Sequence, residues 1–201
     1  AAQALANWRT SPTMPVLSGE SRYEALEIPL PLPAEAPRQA FWAHSINSGF
    51  AGHTYGANGI WQLNGRDKPY GNSPWGGTWG NTPWYIAMAL PGSKQVGEAR
   101  KLIESLPGWN KFEPRPESII SWSGKDTAYF AFAGEETALA YLTSPGTIQL
   151  QLPMENARYI ACWFDPVACK KLGDFTVTTD QGGRYTATSP AGMQDWVLKF
   201  R

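Results

Sequence analysis

Hydrophobic spacing along the chain follows one rule up to about residue 110 and another after it. The opening AAQALANW has the small and apolar residues of a helix, with no capping residue before it. Met14–Ser18 (MPVLS) is a short apolar run ending at Gly19-Glu20, the pattern of a buried strand with a glycine at its exit. After a proline-rich loop (IPLPLPAEAP), Arg38–Ser48 predicts a helix stopped by Gly49. Ala51–Trp61 predicts a second strand running into a glycine-rich loop, and Asn64–Pro83 a long aromatic loop. Trp84–Leu90 and Lys94–Leu106 predict helices, the second with apolar residues at Val96, Ala99, Leu102, Ile103 and Leu106. This is α/β order.

From Glu117 the period changes to two. Strands are expected at Ser118–Trp122, Ala128–Ala133, Thr137–Leu142, Thr147–Leu152, Arg158–Phe164, Phe175–Thr179, Arg184–Thr188 and Trp196–Phe200, separated by turns such as SPG, DQGG and SPAG. So many short strands predict an antiparallel β-sandwich. The boundary falls in Phe112–Pro116 (FEPRP), which reads as a stiff proline linker, so the expected division is 1–112 and 113–201. No internal repeat is visible.

Two parallel strands and their helices do not close a domain. A complete (β/α)8 barrel takes about 250 residues, so the first part would hold only about its last quarter. The expectation is a sheet completed by a companion chain or by a segment not included here; the alternative is a compact irregular domain. A chain that opens inside a helix reads as one cut from something longer.

Composition narrows the function. The 201 residues carry 17 Lys+Arg against 17 Asp+Glu, a balance that argues against a nucleic-acid binder or a polybasic membrane-surface protein. A hydrophobic fraction of 42% argues against disorder, and no stretch approaches the ~20 apolar residues of a membrane span. The 10 Trp, 8 Tyr and 8 Phe serve either sugar stacking or plain packing, and without basic bias sugar is the better ligand than nucleobases. Cys162 and Cys169, with two distant histidines, do not make a closed zinc site; they are a disulfide across a short loop or two free buried thiols. There is no P-loop, dinucleotide fingerprint, zincin motif or nucleophile elbow, so no cofactor and no metal are expected.

The candidate chemistry begins at Glu20, in VLSGESRYE. A carboxylate at the C-terminal end of a barrel strand lies on the catalytic face, although a lone Glu after a strand is also a common solvated loop residue or helix cap. Tyr23 could hydrogen-bond that carboxylate in its ionised form, or simply pack. Tyr55 and Asn58, near the end of the second strand, could line the same cleft, with Trp61, Trp75 and Trp79 ringing its mouth. His53 could bind a sugar hydroxyl or be a core histidine with a backbone partner, and His44 reads as structural. Gln62 is a further polar sugar contact or a structural amide. Glu24 reads as a salt-bridge partner of Arg22 ahead of a contact to a substrate hydroxyl, and Asp165 as the residue that fixes the turn before Pro166 ahead of a catalytic group. A carboxylate among exposed aromatic rings suits glycoside cleavage, because the rings bind apolar sugar faces and the carboxylate meets an oxocarbenium-like centre.

The stretches PVLSGESRYE, RQAFWAHSINSGFAGHTYGANGIW and WYIAMALPGSKQVGEARKLIESLPGW resemble the C-terminal half of the apiosidase-like glycoside hydrolases, and the later CWFDP and DWVLKF resemble that family's appended β-sandwich, sometimes labelled collagen-binding. The resemblance implies a (β/α)8 barrel followed by a sandwich, and hydrolysis of a glycosidic bond in plant or microbial polysaccharide by two carboxylates. It implies that Glu20 is the nucleophile and that the acid/base carboxylate belongs to an earlier strand, outside this sequence. It also implies a secreted protein. The sandwich itself shows no collagen-specific device. Two other functions remain open: a non-catalytic carbohydrate-binding protein using its Trp-rich loops, and a sandwich that only buttresses the barrel.

Overall fold

A computed structural model describes residues 1–27, 30–68 and 79–201. Among the described residues four α-helices come first: α1 (Ala2–Trp8), α2 (Glu35–Asn47), α3 (Trp84–Ala87) and α4 (Pro91–Glu104). Nine strands follow: β1 (Glu113–Pro114), β2 (Ile119–Trp122), β3 (Ala128–Ala133), β4 (Thr137–Leu142), β5 (Thr147–Gln151), β6 (Arg158–Asp165), β7 (Lys170–Thr178), β8 (Arg184–Thr188) and β9 (Trp196–Phe200). They form a six-stranded sheet in the order β1-β3-β4-β9-β6-β7 and a three-stranded sheet, β2-β5-β8, antiparallel throughout. The chain is thus mixed helix and sheet, with a large antiparallel region.

The two faces of the six-stranded sheet explain the sequence of its central strands. On β3, Ala128 and Phe130 point between the sheets while Ala131 and Ala133 point the other way; on β4, Ala138, Ala140 and Leu142 oppose Leu139 and Tyr141. The inward set joins Ile148, Leu150 and Ala187 of the smaller sheet. The outward set meets Phe41, Trp42 and Ile46 of α2, and Ala99, Leu102 and Ile103 of α4. Because both faces are covered, β4 and β9 are buried at every position and read as continuous runs, whereas half-exposed β5 and β8 alternate. Helix α2 ends at Asn47, and Gly49 lies just beyond its C-cap Ser48, where the sequence predicts the stop. A Cβ there would lie 2.5 Å from the Trp8 ring and the backbone is left-handed, φ +63°, so glycine alone fits.

A buried polar cluster joins the helices to the sheet. The Arg38 guanidinium of α2 donates from Nη2 to Asp195 Oδ1 (2.7 Å) and from Nε to Oδ2 (3.0 Å), and from Nη1 to Gln95 Oε1 of α4 (2.8 Å). The Tyr141 hydroxyl donates to Asp195 Oδ2 at 2.7 Å, and its ring stacks near that of Trp42.

Four expectations need correction. Met14–Ser18 and Ala51–Trp61 are not regular buried strands. Among the described residues their parallel pairing is confined to the Ser18–His53 and Glu24–Ala57 bridges, and Met14 and Leu17 are 60% and 62% exposed. Among the described residues each segment is bridged only to the other, too little to bury an apolar run. The FEPRP stretch is not a free linker: Phe112 is buried among the helical side chains, and Glu113–Pro114 pairs with β3 as edge strand β1, where proline costs no ladder bond. Strand β7 starts at Lys170 rather than Phe175, because an exposed edge strand tolerates its polar opening KKLGD. Cys162 and Cys169 are both free thiols. Cys162 lies opposite Asp174 on the β6–β7 ladder, whereas Cys169 sits beyond the Asp165–Lys170 pair. Three residue steps of about 3.3 Å put them outside the ~7 Å Cα reach of a disulfide.

Candidate functional site

The two parallel bridges set the frame. Ser18 N–H donates to the Gly52 carbonyl and Thr54 N–H to that of Ser18; further on, Glu24 N–H donates to Gly56 and Asn58 N–H to Glu24. Glu20 stands exposed between the bridges. The Tyr23 hydroxyl donates to Glu20 Oε1 at 3.2 Å. Burial first, and then the Glu20 charge and this hydrogen bond, push the Tyr23 phenol above its usual range, so it remains a donor. Tyr23 lies against the backbone of Gly56, where a Cβ would fall 2.1 Å from the ring. Its ring meets that of Trp61 at 5.0 Å between centroids, tilted by 47°. Glu20, Ser21, Tyr23, Leu26, Trp61 and Trp79 line one cleft of about 390 Å³. Trp61 is 48% exposed and Trp79 37%, which leaves ring surface open to a ligand.

Sequence reasoning thus places Glu20, Tyr23, Trp61 and Trp79 in one cleft, while Leu26 escaped it as an isolated apolar residue without periodicity. Trp75 lies outside the described residues. Tyr55 and Asn58 turn inward instead. The Tyr55 hydroxyl donates to Glu24 Oε2 at 2.6 Å, and burial followed by that carboxylate drives its pKa well above the tyrosine range. Asn58 is fully buried; its amide donates to Gln62 Oε1 at 3.0 Å and accepts from Thr82 N–H. Those two amides hold the turn that carries Trp61.

Glu24 is not an ion-pair partner of Arg22. It is 2% exposed and accepts from Tyr55 and, at 2.9 Å, from the Gly92 N–H in the first turn of α4. A carboxylate there satisfies an unpaired helix donor and complements the helix dipole. Gly92 is required because a Cβ would sit 2.3 Å from the carboxylate oxygen. The signal was present in Pro91-Gly92, a proline-led helix start.

His53 touches Phe41 and His44 at ring-centroid distances of 5.4 and 5.8 Å, and neither buried ring nitrogen has a hydrogen-bond partner among the described residues. It therefore lacks the backbone partner expected of a core histidine. Burial, and secondarily His44, lower its pKa to about 4, so it is neutral at pH 7. It lines a polar groove with Ser18, Arg22 and His44 that meets the cleft at Glu20 and Ser21. His44 is held by the Val16 carbonyl at 3.2 Å, a structural contact as read from the sequence. Asp165 Oδ1 accepts from the Val167 and Ala168 N–H groups at 2.8 and 2.9 Å, fixing the turn. Among the described residues no group of three or more His, Cys, Asp or Glu side chains is placed to hold a metal ion, and no helix is long and apolar enough to cross a membrane.

Comparison with known proteins gives this geometry a relative. The sequence profile of the family described as "Apiosidase-like, catalytic domain" matches residues 1–110. No curated protein matches the chain. Among solved structures, a glycoside hydrolase is 24% identical with a TM-score of 0.76, over 95% of this chain and 43% of that one. A glycoside hydrolase family 5 protein from Bacteroides vulgatus ATCC 8482 is 21% identical with a TM-score of 0.77, over 95% of this chain and 42% of that one. At these identities the likeness is one of fold, and the chain spans about two fifths of the length of either structure. Since the profile covers more than half of the 201 residues, and does so over the segment that builds the cleft, this chain belongs to the apiosidase-like catalytic domain family.

Proposed function

We propose that the chain is part of a glycoside hydrolase, that residues 1–112 are the C-terminal portion of a (β/α)8 barrel and 113–201 its sandwich domain, and that Glu20 is the nucleophile. The substrate is a glycosidic bond in a plant or microbial polysaccharide. The observation that carries this reading is the cleft itself, in which the one lining carboxylate among the described residues stands beside Tyr23, Trp61 and Trp79. The parallel bridges support treating 18–24 and 53–57 as neighbouring barrel strands, with Glu20 on the face where barrels do chemistry. Exposed Leu17 and Thr54 support a further layer against them, supplied by a companion chain or by a segment outside this sequence. The partial coverage of the solved structures is consistent with that.

In the reaction, a sugar ring lies on Trp61 and Trp79 with its anomeric carbon toward Glu20. Tyr23 holds one carboxylate oxygen, leaving the other to attack. As the carbon–carboxylate bond forms, the bond to the leaving oxygen breaks, and that oxygen takes a proton from a carboxylic acid on the completing segment. Water, deprotonated by the same group, then releases the sugar and Glu20. Retention of configuration requires the two carboxyl groups to lie about 5–5.5 Å apart. Neither nucleic acid nor membrane enters this scheme, and a polymeric substrate places the protein outside the cell.

The test is Glu20→Gln in the complete barrel, assayed for reducing-sugar release and for oligosaccharide binding. The proposal expects hydrolysis to fall at least about a thousandfold while binding survives, and Trp61→Ala to raise KM. Undiminished hydrolysis overturns it. The exposed indoles also fit a non-catalytic carbohydrate-binding protein, which predicts binding without hydrolysis in the unaltered protein.

A further inference from the structure

A second aromatic site lies at the opposite end of the parallel pair. Phe50, Ala51 and Gly52 immediately precede His53, whereas Glu20, Tyr23 and Trp61 lie beyond the Ser18–His53 bridge. Two cavities open at that far end, of about 250 and 440 Å³, and share Phe50, Ala51 and Trp109 as walls. Neither shares a residue with the cleft of Tyr23, Trp61 and Trp79, and His53 alone is common to the smaller cavity and the polar groove that reaches Glu20. Trp109, in the 3₁₀ turn Trp109–Lys111 that follows α4, is 37% exposed between them.

Polar groups on the rim define the ligand. At the end of α4, Arg100 Nε donates to Glu104 Oε1 at 2.7 Å, and both residues line the smaller cavity beside Trp109. The pair sets guanidinium donors next to a carboxylate acceptor, an array that suits adjacent sugar hydroxyls, each of which both donates and accepts. Asn110 adds an amide at the mouth of the larger cavity. An indole face takes the apolar face of a sugar ring while such groups take its edge. The two charges offset each other, so the site favours a neutral chain over a uronate-rich one.

We propose that Trp109, Arg100, Glu104 and Asn110 form an accessory binding site for a neutral polysaccharide chain, separate from the Glu20 cleft. It does not depend on Glu20 being the nucleophile. Its role is to hold a polymer strand while the chemistry proceeds at the other end.

The test is an NMR titration of the complete barrel, ¹⁵N-labelled at tryptophan, with cellohexaose, xylohexaose, mannohexaose and arabinohexaose, with the Trp109 indole signal assigned from Trp109→Phe. At least one neutral hexasaccharide should shift that signal, and oligogalacturonate of the same length should shift it less. Trp109→Ala should weaken binding of the active probe about tenfold or more, Glu104→Gln should weaken it too, and Glu20→Gln should leave it unchanged. Trp109 is outside the core and Glu104 is on the surface, so neither change threatens folding. If no probe moves the Trp109 signal, or if Trp109→Ala binds as tightly as the unaltered chain, the proposal is wrong. Abolition of the Trp109 shift by Glu20→Gln would equally overturn it, because the two sites would then be one.

Discussion

Asp195→Asn should be among the most damaging conservative changes in the chain. The Arg38 and Asp195 side chains are 6% and 1% exposed, so their pairing is made in the interior. Asp195 accepts from two guanidinium nitrogens and from the Tyr141 hydroxyl. Asparagine keeps the shape and one acceptor, but leaves the Arg38 charge buried with the Gln95 amide oxygen as its remaining strong partner. Removing one member of a buried pair costs about 3–5 kcal/mol, since the desolvated charge is no longer compensated. At a urea m-value of about 2 kcal/mol/M the unfolding midpoint would drop by about 1.5–2.5 M. Arg38→Met should cost a similar amount, whereas the double change Arg38→Met/Asp195→Leu should lose less than either single change, because no orphaned charge remains. The exposed Lys101–Glu98 pair is the control, and Glu98→Gln should leave the midpoint unmoved. A loss under about 1 kcal/mol for Asp195→Asn, the range of surface pairs, would refute the claim that this cluster pins the helices to the sheet.

Other consequences are as specific. Gly92→Ala places a methyl 2.3 Å from Glu24 Oε2 and 3.0 Å from the Tyr55 ring, so it should destabilise by about 1–3 kcal/mol, read as a lower thermal midpoint. His53 gives a pH signature. Its folded pKa of about 4 lies below the 6.5 of a free imidazole, so between those values the unfolded chain binds a proton that the folded chain refuses. The stability contributed by neutral His53 is intact above pH 6.5 and is lost as pH falls toward 4. Denaturation series at pH 7 and pH 4.5 should show that slope, and His53→Gln should reduce it, the remainder including His44, whose pKa burial also lowers.

How far these features were legible in the sequence depended on range. The strands of the sandwich are marked locally, β8 by alternation and β4 and β9 as short apolar runs between turns, and β3, β4, β8 and β9 fall within their expected bounds. Strand β1 was not visible, because two residues with a proline carry no period; only the partner β3 makes Glu113–Pro114 a strand. The opening apolar run misled for the same reason in reverse. MPVLS has the composition of a buried strand, but the composition cannot say whether its neighbours are present. Glu20, Tyr23, Trp61 and Trp79 were found because each lies near a local glycine marker. Arg38 and Asp195, 157 positions apart, give no local signal, and neither does the Glu24–Gly92 contact, 68 positions apart. Tyr55 and Asn58 were placed on the correct segment but facing the wrong way, since a strand that pairs only at isolated bridges does not keep a reliable two-residue alternation.

The role of Glu20 is tested most directly by Glu20→Gly in the complete barrel, incubated with an activated aryl glycoside that the unaltered enzyme cleaves, with and without sodium azide. The account predicts near-complete loss of aryl release and its partial recovery by azide, which attacks the anomeric carbon from the space left by the nucleophile and gives a glycosyl azide of inverted anomeric configuration seen by NMR. Hydrolysis at the unaltered rate without azide would contradict it.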